Sequence, residues 1–375
     1  NILAQWAATV QRGRTHTQSW KLQFLTDTET LPEIKRGYPT HSGTKGAPMT
    51  EDGDALYYEV PETYAAAKND GERWKWLLNE QVVISPNRKI DINRQLAAFL
   101  RQQFGVRSMQ SFSWYYQMAQ NDGDENQAGI MQVHTLKDNE TIARLANGVK
   151  RFNLPDNQNF IKLYQQNWEE GDAHSGDQLV EIYLDRRQYD RAAELLKVLI
   201  EKKGDNAHKS RAKKLEQITG DWGKFENQGG AFTVTEDKKI ALTYRNAKAI
   251  TLSLHEIDIQ GIQDDMWEYL ESNPRKVDWN KVNLHNLLNS SVNGKDAQYI
   301  GEQVAEQVYE LKPRAKYWDT RADLTLPKIN KAGAYLVKGE VPDGKKFYTM
   351  IWVDEMMLAS RQITGGTLYI AANAE

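Results

Sequence analysis

The chain has 375 residues, 40% hydrophobic and 26% charged, with a formal net charge of −3 and no cysteine. That length fits roughly two or three domains, and the near-neutral balance gives no global field for nucleic acid or anionic lipid. Without cysteine there are no disulfides, thiolate zinc sites or thiol nucleophiles, and no apolar run approaches the ~18 residues of a membrane span.

Residues 1–35 read as helix: Ile2, Leu3, Trp6 and Val10 form one stripe, and Trp20, Phe24 and Leu25 begin another. The chain opens at Asn1 with neither an initiator Met nor a signal peptide, so a processed or excised chain is expected. Gly, Pro, Thr and Ser dominate from Gly37 to Asp54, and the turn signal Asp52-Gly53 precedes the extended run Ala55–Val60. A small inserted hairpin near 47–60, ended by Pro61, is the expectation. Helices are then predicted at Glu62–Asn69, Gly71–Gln81 and Asp91–Phe104, the last with Ile92, Leu96, Phe99 and Leu100 on one face. Asn121–Gly129 reads as a polar loop, followed by helices at Asp138–Val149 and Gln158–Glu169.

The clearest unit runs from Asp177 to Lys203. Leu179, Ile182 and Tyr183 mark one helix, Arg187-Gln188 the connection, and Tyr189, Ala192, Leu196 and Leu199 a second helix. The order resembles one tetratricopeptide repeat, whereas an array needs about three to close its core. A further helix is expected at Ala207–Ile218. Gly220–Gly230, with Trp222, Asn227 and Gly229, reads as a flexible boundary.

Beyond it the apolar rhythm alternates. Strands are predicted at Ala231–Thr235, Lys239–Tyr244, Ala249–Ile257, Gln303–Leu311, Ala322–Leu326, Gly333–Val341 and Phe347–Val353. In Ala249–Ile257, Ile250, Leu252 and Leu254 point one way. Residues 261–294 break the rhythm with Met266, Trp267, Leu270, Val282, Leu284, Leu287 and Leu288, and are expected to form an insertion. About seven strands with Gly/Pro-rich turns fit an antiparallel β-sandwich of immunoglobulin-like proportions. Met357–Arg361 leads into a lone strand at Thr367–Ile370, expected to be the first strand of a following, truncated domain.

The fold class that emerges is multidomain α and β. A helical-hairpin, tetratricopeptide-like N-terminal module covers 1–228 with its inserted hairpin near 47–60. A β-sandwich covers 229–358 with an insertion near 261–294, and 359–375 begins another domain.

Thr243-Tyr244-Arg245-Asn246 followed by Ala249–Asp258 resembles the opening of a macroglobulin domain of the bacterial α2-macroglobulin family. Leu324-Thr325-Leu326-Pro327 ahead of Gly333-Ala334-Tyr335-Leu336-Val337 resembles its later strands, Trp352–Leu358 its closing strand and Gly366–Ala374 the start of the next domain. Tyr58–Pro61 through Asp70–Trp74 is similar to the N-terminal region of planctomycete-type members. The resemblance implies a non-catalytic part of a protease-trapping protein of the cell envelope, periplasmic or secreted, with proteases and other proteins as partners. It implies no cofactor and no catalytic, cofactor-binding or metal residue in this chain. The family's bait segment has no place here. Gly301-Glu302-Gln303 imitates the tail of its thioester motif, but no cysteine exists to form the bond.

Other chemistries are weighed against plainer readings. The seven histidines (16, 41, 134, 174, 208, 255 and 285) never fall within five residues of one another, so no helical metal pair exists. Asp122, Asp124 and Asn126 begin like a calcium loop, but Gln127 and Val133 stand where Gly and Glu are required. Ser42–Gly46 lacks the Gly-Lys-Ser/Thr order of a phosphate loop, and Gly-x-Ser-x-Gly is absent. The basic run Lys202, Lys203, His208, Lys209, Arg211, Lys213 and Lys214 has no interleaved aromatics and reads as a solvated helix face.

The chain holds 11 tryptophans, among them Trp74, Trp76 and Trp114 beside Tyr115 and Tyr116. Aromatic packing between helices is the plain reading and a stacking platform the sharper one. Asp70 and Glu72 beside Trp74 and Trp76 offer the one enzyme-like grouping, since an indole wall raises a carboxyl pKa. That makes a carbohydrate-binding or carbohydrate-active protein the alternative function. Burial of the tryptophans discriminates against it, because Asn69-Asp70-Gly71 also reads as a helix start. A generic helical-repeat adaptor is the third reading.

Overall fold

The computed structural model describes residues 2–12, 47, 49–50, 52–109, 132–145, 148–205, 209–226, 230–279, 281–282 and 297–373. The Trp20 stripe, the Ser42–Gly46 segment, Trp114 with its tyrosines, the Asp122–Asn126 spacing and Leu284, Leu287 and Leu288 lie outside them. Two compact units divide the chain, Asn1–Ala212 and Lys213–Glu375.

The first unit begins with α1 (Ile2–Arg12), which packs on α2 (Asp70–Ile84). The predicted stripe on α1 is rotated. Among the side chains described on α1, Ala7 is the buried one, while Ile2 is 79% and Trp6 43% exposed. Small alanines let two helices approach where a tryptophan would hold them apart. Met49 and Ala55 form one antiparallel bridge closed by Gly53 N–H to Thr50 O at 2.9 Å, and Ala47 bridges Leu145 in parallel. The predicted helix over 62–69 is a single turn at Tyr64–Ala66 capped by Thr63. It cannot lengthen because Asn69 is already the extended N-cap of α2, its Oδ1 accepting from Glu72 N–H at 2.9 Å.

After α3 (Lys89–Phe104) the expected helix over 138–149 is instead a β-hairpin, β1 (Glu140–Leu145) with β2 (Gly148–Asn153). Thr141, Ile142, Val149 and Phe152 favour strand, and Asn147-Gly148 is a hairpin signal in the sequence. Thr141, Ile142, Ala143 and Leu145 are buried, so tertiary burial decides against the helical pattern. Four helices follow: α4 (Phe160–Glu169), α5 (Ala173–Asp185), α6 (Tyr189–Lys203) and α7 (Ser210–Thr219). Gly176 lets α5 and α6 close tightly, since a Cβ there would lie 2.7 Å from Leu199 Cδ2. Leu179, Ile182, Ala192, Leu196 and Leu199 are buried between them and their neighbours.

The second unit is two packed sheets. One has order β3-β5-β8, the other β4-β10-β9-β6-β7. Their strands are β3 (Trp222–Phe225), β4 (Gly230–Thr233), β5 (Lys239–Arg245), β6 (Ala249–Ile257), β7 (Ile300–Glu310), β8 (Thr320–Thr325), β9 (Gly333–Glu340) and β10 (Lys346–Asp354). β3 stands where a flexible boundary is expected. Four residues with two buried side chains are too few for an alternation to show, and the strand is fixed by pairing with β5.

Leu242, Ile250, Leu252, Leu254, Val337 and Ile351 fill the space between the sheets. Tyr309 of β7 donates its hydroxyl to Thr325 O of β8, and Tyr244 of β5 donates to Lys312 O at 3.0 Å, stitching one sheet to the other. Asn246 turns the chain between β5 and β6 at φ 62°, which asparagine tolerates. Its Nδ2 donates to Ile218 O and Gly220 O, each at 2.9 Å.

The irregular stretch after β6 begins with α8 (Ile259–Glu271). Ile262 of α8 covers Ala334, Leu336 and Tyr299 on the outer face of the larger sheet. The terminal strand, expected to stand alone, pairs with its neighbour. β11 (Met356–Ile363) and β12 (Gly366–Asn373) form an antiparallel hairpin in register from Met356↔Asn373 to Ile363↔Gly366. Gly365 at φ 94° supplies the turn that the alternation alone does not reveal.

Candidate functional site

Asp70 and Glu72 lie in the first turn of α2, where negative charge meets the positive end of the helix dipole. Both are engaged locally. Glu72 Oε2 accepts from Lys68 N–H at 2.7 Å, and Asp70 Oδ1 sits 3.2 Å from Arg73 Nη1. Trp74 is only 2% exposed and packs on Phe99 with ring centroids 4.7 Å apart. Trp76 is half-buried, with its edge against Tyr64. The indoles line no groove with the two carboxylates, so the grouping is a capped helix start above a core tryptophan.

Two buried cations, which composition does not single out, organise the first unit. Lys75 Nζ donates to Tyr58 O at 2.6 Å and Gln158 Oε1 at 2.8 Å. Among the described residues no carboxylate pairs with it, and burial pulls its pKa down to about 8 while Glu59 opposes. The signal was its place beside Trp74 and three residues before Leu78, on the apolar side of α2. Arg186, fully buried, donates to Lys137 O at 3.0 Å and Glu140 O at 2.8 Å. Burial lowers it to about 10, with Asp138 opposing. Next to it Arg191 grips both oxygens of Asp138 at 2.7 and 2.9 Å and lies over the Tyr183 ring. The Asp138 carboxyl is held below its usual range although burial pushes the other way.

Arg211 corrects the reading of the basic run as solvated. Its side chain is 9% exposed and forks onto Asp177 with bonds of 2.8 and 2.7 Å, a third reaching Gly204 O at 2.7 Å. Lys202 and Lys203 do face solvent. A small pocket by Arg101, Arg107, Phe160 and Asp185 has its arginines committed, since Asp185 takes Arg101 at 3.0 Å and Arg107 at 2.9 Å. Among the described residues no three His, Cys, Asp or Glu side chains are grouped to hold a metal, and no helix is long and apolar enough to cross a membrane.

What the second unit presents is surface. In the β11–β12 register Met356, Leu358, Tyr369 and Ala371 share one face, and Ala359, Ile363, Leu368 and Ile370 the other. Leu358 is 69%, Tyr369 63% and Ile370 55% exposed, so each face shows exposed apolar side chains, interspersed with polar ones such as Ser360, Gln362 and Arg361. A two-stranded ribbon alone is marginal in water, and this one pairs with no third strand among the described residues.

No family profile matches the chain, and no curated protein sequence does. Among solved structures, native alpha-2-macroglobulin from Escherichia coli spanning domains MG0-NIE-MG1 is similar over 41% of this chain and 45% of its own, at 10% identity and TM-score 0.27. The fragment spanning NIE-MG1 is similar over 41% of this chain and 70% of its own, at 14% identity and TM-score 0.26. A native-conformation reconstruction of the same Escherichia coli protein is similar over 37% of this chain and 8% of its own, at 16% identity and TM-score 0.24. The match spans less than half the length of the first of these structures.

Proposed function

We propose that this chain is a non-catalytic, macroglobulin-like part of a protease-trapping protein, serving as scaffold and protein-contact surface in the bacterial envelope or periplasm. The observation that carries the reading is the β11–β12 hairpin, which leaves large apolar side chains exposed on both faces. Such a patch marks a surface that another stretch of protein covers. The order of residues that resembles a macroglobulin domain supports it: Tyr244 lies at the end of β5 and Asn246 in the turn after it, Leu324 lies in β8, and Gly333–Val337 opens β9. The α5–α6 helices with their tetratricopeptide-like spacing would offer a second protein-contact face. Burial of Trp74 and the local bonds of Asp70 and Glu72 speak against the carbohydrate alternative.

The test is to read the gene outward from both ends of this chain and assay the whole product against an endoprotease. Further macroglobulin-like domains are expected. The product should protect a large protein substrate while leaving hydrolysis of a small chromogenic peptide intact. A reading frame without such domains, or a product that protects neither or both substrates, would sink the proposal.

A further inference from the structure

β7 is the edge of the five-stranded sheet, paired with β6 on one side and with no strand on the other among the described residues. At 11 residues it is longer than any other strand described. Its inner-facing Ala305 and Tyr309 pack against the sandwich core. From Ala305 to Glu310 the register with β6 is regular, so Glu306, Val308 and Glu310 face outward; a bulge beside Ala305 breaks the alternation, pairs Gln303 with His255 and lets Gln303 Nε2 donate to Glu306 Oε2 at 3.2 Å. Val304 is 48% and Val308 62% exposed. Across on β6, Ala249, Thr251 and Ser253 stand opposite Glu310, Val308 and Glu306, so no cation answers the glutamates from the neighbouring strand. The third strand in from the edge is different, because its Lys338 faces its own Glu340 at 3.6 Å.

An open edge offers a row of backbone donors and acceptors to any extended chain. The side chains decide which. A second copy of β7 pairing antiparallel about Val308 is disfavoured, because it sets Glu306 opposite Glu310 and like charges repel across a ladder. At about 3.3 Å per residue Glu306 and Glu310 stand roughly 13 Å apart on one face, with Val308 between them. The matching strand carries cations and small apolar residues in the same alternation.

We infer that the free edge of β7 is a docking site for an extended, basic peptide segment that joins the sheet as a sixth strand. The segment sets Lys or Arg against Glu306 and Glu310 and a β-branched residue against Val308. The two glutamates then do two things, blocking self-pairing and selecting a partner of opposite charge. This inference does not rest on the protease-trap reading.

The test uses the whole chain and two capped peptides, Lys-Thr-Val-Thr-Lys-Thr-Val-Thr-Lys and its counterpart with Glu in place of Lys. Amide hydrogen exchange is followed by mass spectrometry. The Lys peptide is expected to slow exchange within 300–310, and the Glu peptide to leave it unchanged. In Glu306→Lys/Glu310→Lys the preference should reverse, with binding of the Lys peptide weakened about tenfold and the Glu peptide now protecting 300–310. The reversal also reports that the variant is folded. No slowing with either peptide, slowing confined to β8 or the β11–β12 hairpin, or a preference that does not reverse would each overturn the inference.

Discussion

Lys75 Nζ lies 2.8 Å from Gln158 Oε1, joining α2 to the turn that precedes α4 through a buried ammonium. The same nitrogen holds Tyr58 O of the extended 55–60 segment, so one cation fixes three pieces of chain. Its neutral hydrogen-bond partners satisfy its geometry without offsetting its charge, so burial still costs.

The first prediction follows from that cost. The folded pKa of Lys75 is about 8 against 10.5 for the free side chain. The unfolded chain therefore binds more protons between those values, and stability rises with pH across the window. The penalty is full below pH 8, and its complete relief is worth roughly 3 kcal/mol. Tyr58, held well above its usual range by burial with Asp70 and Glu72 adding, acts the other way above about pH 10. The rise should thus be clearest from pH 8 to 10 in the exchange protection of α2 amides. Lys75→Met should flatten it, and a rise that persists in that variant would refute the assignment.

A second prediction concerns Arg211. Its bidentate pair with Asp177 anchors the start of α7 to α5. Arg211→Ala should destabilise by about 1–3 kcal/mol, because the fork is charge-assisted and mostly buried. Arg211→Lys should recover only part of that, since an ammonium cannot fork. A double-mutant cycle with Asp177→Ala measures the coupling. A coupling near zero would return Arg211 to the solvated face first expected for it.

Gly71 gives a steric prediction. A Cβ there would stand 2.4 Å from the Tyr58 ring. Gly71→Ala should cost about 1–3 kcal/mol despite alanine's better helix propensity. Adding Tyr58→Ala should make the Gly71 change far less harmful, because the clash is with that ring. Equal cost in both backgrounds would show that the helix start, not the ring, is at fault.

The hairpin prediction separates surface from core. Leu358→Ser/Tyr369→Ser/Ile370→Ser removes exposed apolar groups from both faces. Self-association and binding of a hydrophobic dye should fall, while denaturant unfolding of the sandwich is unchanged. Loss of sandwich stability would mean that the hairpin supports the unit rather than serving as a contact surface.

Asn69, Asp70 and Glu72 give the last one. Asn69→Ala should cost about 1 kcal/mol by removing the cap of α2. Glu72→Ala should also destabilise, by freeing Lys68 N–H. If Asp70→Asn/Glu72→Gln instead abolished a measurable glycosidase activity of the chain, the helix-start reading would be wrong.

The sequence by itself determined the parts that rest on local rhythm. Ile250, Leu252 and Leu254 declared β6 to the residue, because a half-buried strand imposes a period of two. Leu179, Tyr183, Ala192, Leu196 and Leu199 likewise marked where α5 and α6 lie, because a shared apolar face imposes a helical period. The tertiary structure decided what depends on partners distant in sequence. It turned 140–153 into a hairpin by burying Thr141 and Ile142, and made a strand of Trp222–Phe225 by pairing it with β5. It withdrew Trp74 from solvent, and buried Lys75, Arg186 and Arg211 against carbonyls and carboxylates as many as 83 residues away. It also left one long edge of the larger sheet open at β7. A charged residue looks solvated when read one at a time; whether it faces water is set by which elements pack around it, and spacing alone does not encode that.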